Sequence, residues 1–496
     1  MRKTLGCGAA AVVLLVAASA SANGRYPASN ELLFSPTSAN LVIQRTTFGI
    51  LISHDAGTTW SWLCEDALGI APSTNEDPTL GLTAANTLIA GVYGGLQVSY
   101  DTGCGWSYVP SLMNQHAVDI AVRSASPHSA VALISTYSPT VIPDSSIGYA
   151  TRLYETTDDG KTWSAIGGPF DPTVSVSTVD VAASDPNRLY VTAFRSSTLF
   201  TPLLFVSVDH GASWSEHDMP MLSHDLGMYI AAVDPQDADL VYLRSAGAPN
   251  SAGRSRLFVT RDQGQTFQTA LVLPGSMLGF ALSPDGSMVY AGIEKGGLFA
   301  ATRDGLLAAA DAGTPVAVTV GDAGGSTSPA FQQTSSIHVQ CLATHGSELW
   351  ACSDEVSGFI AGVSLDNGTT FTPKLHIHDI EGPIACAADA SAAQCTGAAF
   401  QQLCQTLRGC GGDGGMDASA SVSGDGSAPD GAVEAAPEDA GSMKNPSHGS
   451  SCGCSTVGGH RTRNTGGPLV AMAVATAAAF VRRRSGTSTT SRFEHG

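Results

Sequence analysis

Positive charge is scarce in this chain: 24 Lys and Arg stand against 43 Asp and Glu in 496 residues, a formal net charge of −19. The basic residues also crowd the two ends. Residues 1–22 carry +2 and residues 455–496 carry +5, which leaves about −26 for residues 23–454. So acidic a body disfavours nucleic acid and anionic lipid as partners. Helical periodicity is missing as well. From about residue 30 to residue 380, apolar residues alternate with small or polar ones, which is the period of strands. The C-terminal apolar run, Gly466–Val481, falls short of the roughly 20 residues that a membrane-crossing helix needs.

What the chain does have is a phrase written seven times. The copies are SHDAGTTW (Ser53–Trp60), SYDTGCGW (Ser99–Trp106), TTDDGKTW (Thr156–Trp163), SVDHGASW (Ser207–Trp214), TRDQGQTF (Thr260–Phe267), a worn TRDG (Thr302–Gly305) and SLDNGTTF (Ser364–Phe371). The invariant elements are Asp55, Gly57 and Trp60; Asp101, Gly103 and Trp106; Asp158, Gly160 and Trp163; Asp209, Gly211 and Trp214; Asp262, Gly264 and Phe267; Asp366, Gly368 and Phe371; and, in the worn copy, Asp304. A carboxylate can accept hydrogen bonds from backbone N–H groups just downstream and so close a tight turn. Glycine supplies a positive φ, and the aromatic residue anchors the turn from beneath. The phrase therefore reads as a hairpin corner, and its aspartates read as structural. A calcium loop would need several converging oxygen ligands, and each copy offers one reliable carboxylate.

Successive aspartates are 46, 57, 51, 53, 42 and 62 residues apart, a spacing that suits one four-stranded blade per repeat. The consensus Ser/Thr-x-Asp-x-Gly-x-Thr/Ser-Trp/Phe resembles the Asp-box, or bacterial neuraminidase, repeat of β-propellers. That resemblance implies an all-β, seven-bladed β-propeller over residues 30–380. TTFGILIS (Thr46–Ser53) and WSWLCED (Trp60–Asp66), flanking the first copy, are similar to a type of myxobacterial surface protein, and this likeness brings no activity with it.

The ends read differently. Residues 1–22 have the basic start, apolar stretch and small residues of a secretory signal peptide, with cleavage expected after Ala20 or Ala22. Residues 411–450 hold seven acidic residues, one Lys and no aromatics, and read as a disordered Gly/Ala/Ser/Asp linker. Residues 451–484 contain Cys452, Cys454, the apolar run and Arg482–Arg484, followed by a polar tail at 485–496. This trio resembles the myxobacterial C-terminal sorting signal, the MYXO-CTERM class, which implies processing near the cysteines and display at the cell surface. A plain membrane anchor, before or instead of processing, is the other reading. Either way the protein is expected to be exported, to the cell surface, the outer envelope or the medium.

Setting aside Cys7, Cys452 and Cys454 leaves eight cysteines, an even number that suits four disulfides in an exported domain. Cys341 and Cys352 fall on consecutive strands, where a cross-strand bond is feasible. Cys64 and Cys104 are expected to join neighbouring blades. Cys386, Cys395, Cys404 and Cys410 are expected to staple a closing segment at 381–410.

No catalytic residue, metal ligand or cofactor site emerges. The Phe/Tyr-Arg-Ile-Pro motif of sialidases is missing, and Arg45 is the sole arginine candidate ahead of the first phrase. A glycosidase pair of carboxylates could be drawn from many acidic residues; Asp144, Asp354 and Glu355 read as solvated loop positions. His376 and His378 would share a face if HIHD were a strand. The hairpin corners join third and fourth strands, so loops between second and third strands lie on the opposite rim. These are expected to be short in blades 1, 2, 6 and 7 and long in blades 3, 4 and 5. The long ones bring Tyr137, Tyr149, Arg195, Phe200, Arg244 and Arg254 as a candidate recognition patch. The functional expectation is a monomeric, non-enzymatic propeller binding a protein or glycan; the alternative is an extracellular glycoside hydrolase.

Overall fold

The computed structural model describes residues 28–71, 76–137, 149–195, 201–222, 225–247, 254–313, 316–317, 330–407 and 409. The signal peptide, linker, sorting segment and tail expected from the sequence lie outside these residues.

The described residues form seven antiparallel sheets, spanning 29–63, 79–113, 116–166, 174–218, 225–274, 277–335 and 341–375. Each is built on a four-stranded meander, and in six blades those four strands follow one another directly along the chain; in blade 6 the short strand Val316–Ala317, which pairs with blade 5, intervenes before the fourth. Blade 5 gains a short fifth strand, Val316–Ala317, parallel to its outer strand. The first strands (Ser29–Phe34, Thr79–Leu82, His116–Val122, Val174–Val181, Asp225–Val233, Met277–Leu282 and Cys341–His345) are innermost and pack in succession around an axis. Ser29–Phe34 also packs against Cys341–His345, which closes a seven-bladed β-propeller.

The strand composition follows from that stacking. Middle strands are covered on both faces by neighbouring blades, and every residue of Val42–Thr46, Gly49–Ser53 and Leu88–Val92 is buried. Outer strands such as Ser215–Asp218 are exposed and polar. The core is accordingly divided into seams between blades, as where Val131 and Leu153 of blade 3 meet Val179, Leu189 and Val191 of blade 4.

Six of the seven phrases form the same turn. The leading Ser or Thr hydroxyl donates to the aspartate Oδ1 at 2.7–2.9 Å and accepts the glycine N–H at 2.8–2.9 Å. A backbone N–H four residues past the aspartate donates to the same Oδ1 at 2.7–2.9 Å. Beneath the turn, the indole N–H of Trp60, Trp106 and Trp163 donates to the glycine carbonyl. The residue before the glycine is also left-handed in all six: Ala56, Thr102, Asp159, His210, Gln263 and Asn367 have φ of 57–62°.

The glycine itself faces the preceding blade. A β-carbon on Gly57 would sit 2.9 Å from the Trp350 ring of blade 7, and one on Gly103 would sit 3.0 Å from Ile52 of blade 1. The turns are thus spacers between blades as well as corners within them. They also bond to the loop between first and second strands of their own blade, as Ala56 N–H does to Asn40 O at 2.9 Å, so both kinds of loop share one rim. The sixth phrase departs from the pattern. Thr302 caps a helix, α1 (Arg303–Asp311), by accepting the Gly305 N–H, and Asp304 lies in its first turn. TRDG lacks the downstream Thr/Ser and aromatic residue that would hold the corner.

The ring is clasped from outside. Past blade 7, Ile380–Pro383 runs parallel to the outer strand of blade 1, Trp60–Leu63, and helix α2 (Gly397–Leu407) brings Phe400 against Trp62. Three disulfides are complete within the described residues: Cys64–Cys395, Cys104–Cys386 and Cys341–Cys352. The last is the expected cross-strand bond, between residues in direct register. The expected Cys64–Cys104 bond does not form, because each of these cysteines faces the closing segment that lies along the outer edges of blades 1 and 2. Cys404 is also disulfide-bonded, and Cys410 lies outside the described residues.

Candidate functional site: the axial cavity

Inward-facing residues of several first strands surround a cavity of about 230 Å³ on the propeller axis. Its polar lining comes from Asn30, Glu31, Thr79 and Asp119 on first strands and from Arg45 and Arg244 on second strands; Phe280 and Leu342 supply apolar faces. The gap lies where the inner edges of the blades face one another, so the identity of the side chains there fixes its chemistry.

Each charged group is held by the protein. Arg45, 3% exposed, donates from Nε to Glu31 Oε2 at 3.0 Å, and its Nη1 lies 3.9 Å from Asp77 Oδ2. Asp119 accepts the Val179 N–H at 2.9 Å from blade 4 and the Thr79 hydroxyl at 3.3 Å from blade 2. Arg244 donates to the carbonyls of Met277 and Leu278 in blade 6, at 2.5 and 3.2 Å. The Arg45–Glu31 pair lies within blade 1, whereas the Asp119 and Arg244 bonds cross from blade to blade, and together they fix the direction of these charges before a ligand arrives. Rigid donors and acceptors of both kinds around a small volume suit a polar, uncharged or zwitterionic group.

Of the recognition patch expected above blades 3–5, the described residues include Tyr137, Tyr149, Arg195, Arg244 and Arg254. Arg244 turns inward to the cavity, while Arg195 pairs with Glu216 on the outer strand of blade 4. Arg254 is exposed at the start of its strand, and Tyr137 and Tyr149 stand opposite each other in the backbone register of blade 3. Phe200 lies outside the described residues, as do 138–148, 196–200 and 248–253 of the long loops. The second-to-third loop of blade 7, expected to be short, runs over residues 353–360 and contains the 3₁₀ turn Glu355–Ser357.

HIHD is not a strand. Ile377–Asp379 forms a 3₁₀ turn in which the His376 and His378 rings stack at 5.0 Å. His376 Nδ1 lies 3.0 Å from Glu355 Oε2, and Glu355 Oε1 accepts the Ile377 N–H. Asp354 is likewise engaged, with His338 Nδ1 at 2.8 Å, so neither acidic residue is the freely solvated loop group expected. Asp144 lies outside the described residues. Arg45 had one sequence signal, its solitary position ahead of the first phrase; Glu31 and Asp119 had none.

No protein-family model matches the chain, and no curated protein does either. Among solved structures, it is similar to an ancestral GH74 enzyme, with 15% identity and a TM-score of 0.44 over 69% of this chain and 44% of that one. A GH74 enzyme from Niastella koreensis gives 14% identity and a TM-score of 0.29 over 69% of this chain and 62% of that one. The Cps50 (Swd1) β-propeller domain of Myceliophteria thermophila gives 11% and 0.40, over 67% and 95%. The chain spans less than two thirds of either GH74 enzyme, and the likeness extends to nothing finer than the fold.

Proposed function

We propose that this chain is an exported, non-enzymatic β-propeller that binds a glycan in its axial cavity. The observation that carries the reading is the preset polar lining, in which Glu31, Arg45, Asp119 and Arg244 are each oriented by a partner in the protein. Sugar hydroxyls both donate and accept, so they exploit such fixed groups of either sign. A volume of about 230 Å³ favours a single sugar ring or chain end over a protein surface. Disulfides support the exported location. We further assign the six regular turns to the Asp-box type, and the two chain ends to a signal peptide and a surface-sorting segment.

Calorimetric titration with glucose, galactose, mannose, xylose and N-acetylglucosamine tests the reading. At least one is expected to bind, and Glu31→Gln to weaken that binding tenfold or more, by removing a charged acceptor. Binding by none of these sugars would sink it.

A second reading rests on the presence of two carboxylates, Glu31 and Asp119, in the cavity lining. Paired carboxylates are the machinery of glycoside hydrolysis. Incubation with a glycan panel separates the two readings: turnover abolished by Asp119→Asn moves the assignment to a hydrolase.

A further inference from the structure

We propose that the glycan ligand carries an apolar substituent, and that this part lies in a second hollow between the polar cavity and the rim of the repeated turns. The proposal rests on the glycan reading above and names the chemical class of that ligand, an amphiphilic glycoside.

The second hollow measures about 370 Å³ and is walled by Leu33, Phe34, Pro36, Leu82, Val122 and Pro127. It shares Glu31 and Ile120 with the polar cavity, so the two hollows are neighbours along the inner strands of blades 1 and 3. Strand direction orders them along the axis. Thr79 and Cys341, which line the polar cavity, begin their first strands, whereas Phe34, Leu82 and Val122 end theirs. Pro36, Ser124 and Pro127 sit on loops between first and second strands, the loops that share a rim with the repeated turns, and the hollow therefore opens on that rim.

The apolar wall is as fixed as the polar one. The Phe34 ring stacks on His345 with centroids 4.7 Å apart and meets the edge of Trp350 at 5.3 Å. Leu82 is buried between blades. A sugar seated among Glu31, Arg45 and Asp119 would direct a substituent along the axis into this hollow. A purely polar ligand would leave the hollow to water at an apolar surface.

Titrations of the oxidised protein with paired methyl and octyl glycosides of the same five sugars test the proposal, with the octyl compounds below their micelle concentration and octanol as a separate arm. Each buried methylene group contributes roughly fourfold in affinity, so octyl glycosides are expected to bind at least tenfold tighter than their methyl partners. Ser124→Trp, at an exposed position on the mouth, is expected to bring the octyl-to-methyl affinity ratio close to one; an unchanged melting temperature would show that the variant folds. Equal affinity for methyl and octyl glycosides overturns this proposal and leaves the glycan reading standing, as does a ratio that Ser124→Trp does not lower. Binding of neither glycoside overturns both. Octanol binding as tightly as the octyl glycosides also overturns the proposal, because the sugar would then contribute nothing.

Discussion

Cys64 is bonded to Cys395 across 331 residues, so the residue that follows the outer strand of blade 1 is held covalently by the segment beyond blade 7. Cys104–Cys386 repeats the arrangement on blade 2 over 282 residues. The two bonds are nested, and either one alone keeps the ring's ends together in the unfolded chain. Removing one pair (Cys64→Ala with Cys395→Ala) is therefore expected to cost about 2–4 kcal/mol. Removing both pairs frees the full loop and is expected to cost more than twice the single loss, a non-additivity that follows from their shared closure. Denaturant unfolding of the three proteins measures it; equal, additive losses would show that the clasps act independently.

Gly57 and Gly346 both have positive φ, +80° and +56°, but a β-carbon at Gly57 meets the Trp350 ring at 2.9 Å and one at Gly346 meets nothing within 4 Å. Alanine at Gly346 is expected to cost about 1 kcal/mol for the backbone alone. Alanine at Gly57 adds a clash across the blade 7–blade 1 seam, and a further 1–3 kcal/mol is expected. The difference between the two variants in thermal unfolding isolates the seam contact. Equal costs would mean that the turn glycine serves only its own hairpin.

These features mark how far the sequence could be read. The hydroxyl, aspartate and glycine of each phrase announce a turn because their chemistry acts within eight residues. The left-handed residue before the glycine was hidden, since Ala56, Thr102, Asp159, His210, Gln263 and Asn367 share no side-chain property; the turn imposes their conformation. Cys341–Cys352 was legible because adjacent strands set its register. The long-range bonds were not, because the path of the closing segment depends on where ring closure places blade 1. The cavity was hidden for the same reason: Glu31, Asp119 and Arg244 come from three blades, and only closure of the ring brings them to one axis. The inward turn of Arg244 was hidden too, because it follows from the register of its strand within the closed ring.

The regular turns make stability depend on pH in the acid range. The Thr370 backbone N–H and hydroxyl, with the Ser364 hydroxyl, hold the Asp366 carboxyl down at about 2, against 3.8 in the absence of those bonds. The Ser213 hydroxyl and N–H lower Asp209 in the same way. At Asp158 burial works upward and the bonds from Thr162 and Thr156 outweigh it, so the net shift is again downward. A carboxylate lowered in the folded state contributes stability above its unfolded value, and that contribution disappears as pH falls through the folded value. Melting temperature is therefore expected to drop between about pH 4 and pH 2 as the unfolded chain takes up protons first. Asp366→Asn should lie below the parent at pH 5 and converge with it near pH 2; parallel curves would remove Asp366 from the account.

Asp225 opens the first strand of blade 5 with its side chain fully buried, and Arg256, 9% exposed, pairs with it from the third strand. The arginine also donates to Pro220 O at 3.2 Å and lies 4.4 Å above the Phe258 ring, while Asp225 accepts the Leu222 N–H at 2.8 Å. Arg256→Met keeps the stem packed on Phe258 but leaves the carboxylate buried with no counter-charge. Breaking a buried pair from one side is costly because the remaining ion has lost its water and keeps only the Leu222 N–H bond in place of a counter-charge, and about 3–5 kcal/mol is expected. Adding Asp225→Asn to that variant removes the stranded charge, and the double variant is expected to recover part of the loss, since a neutral amide can still bond Leu222 through its carbonyl. Urea unfolding of both variants decides it. A single-variant cost below about 1 kcal/mol would mean that Asp225 escapes to water on losing its partner, and that the ion pair orients the strand without anchoring it.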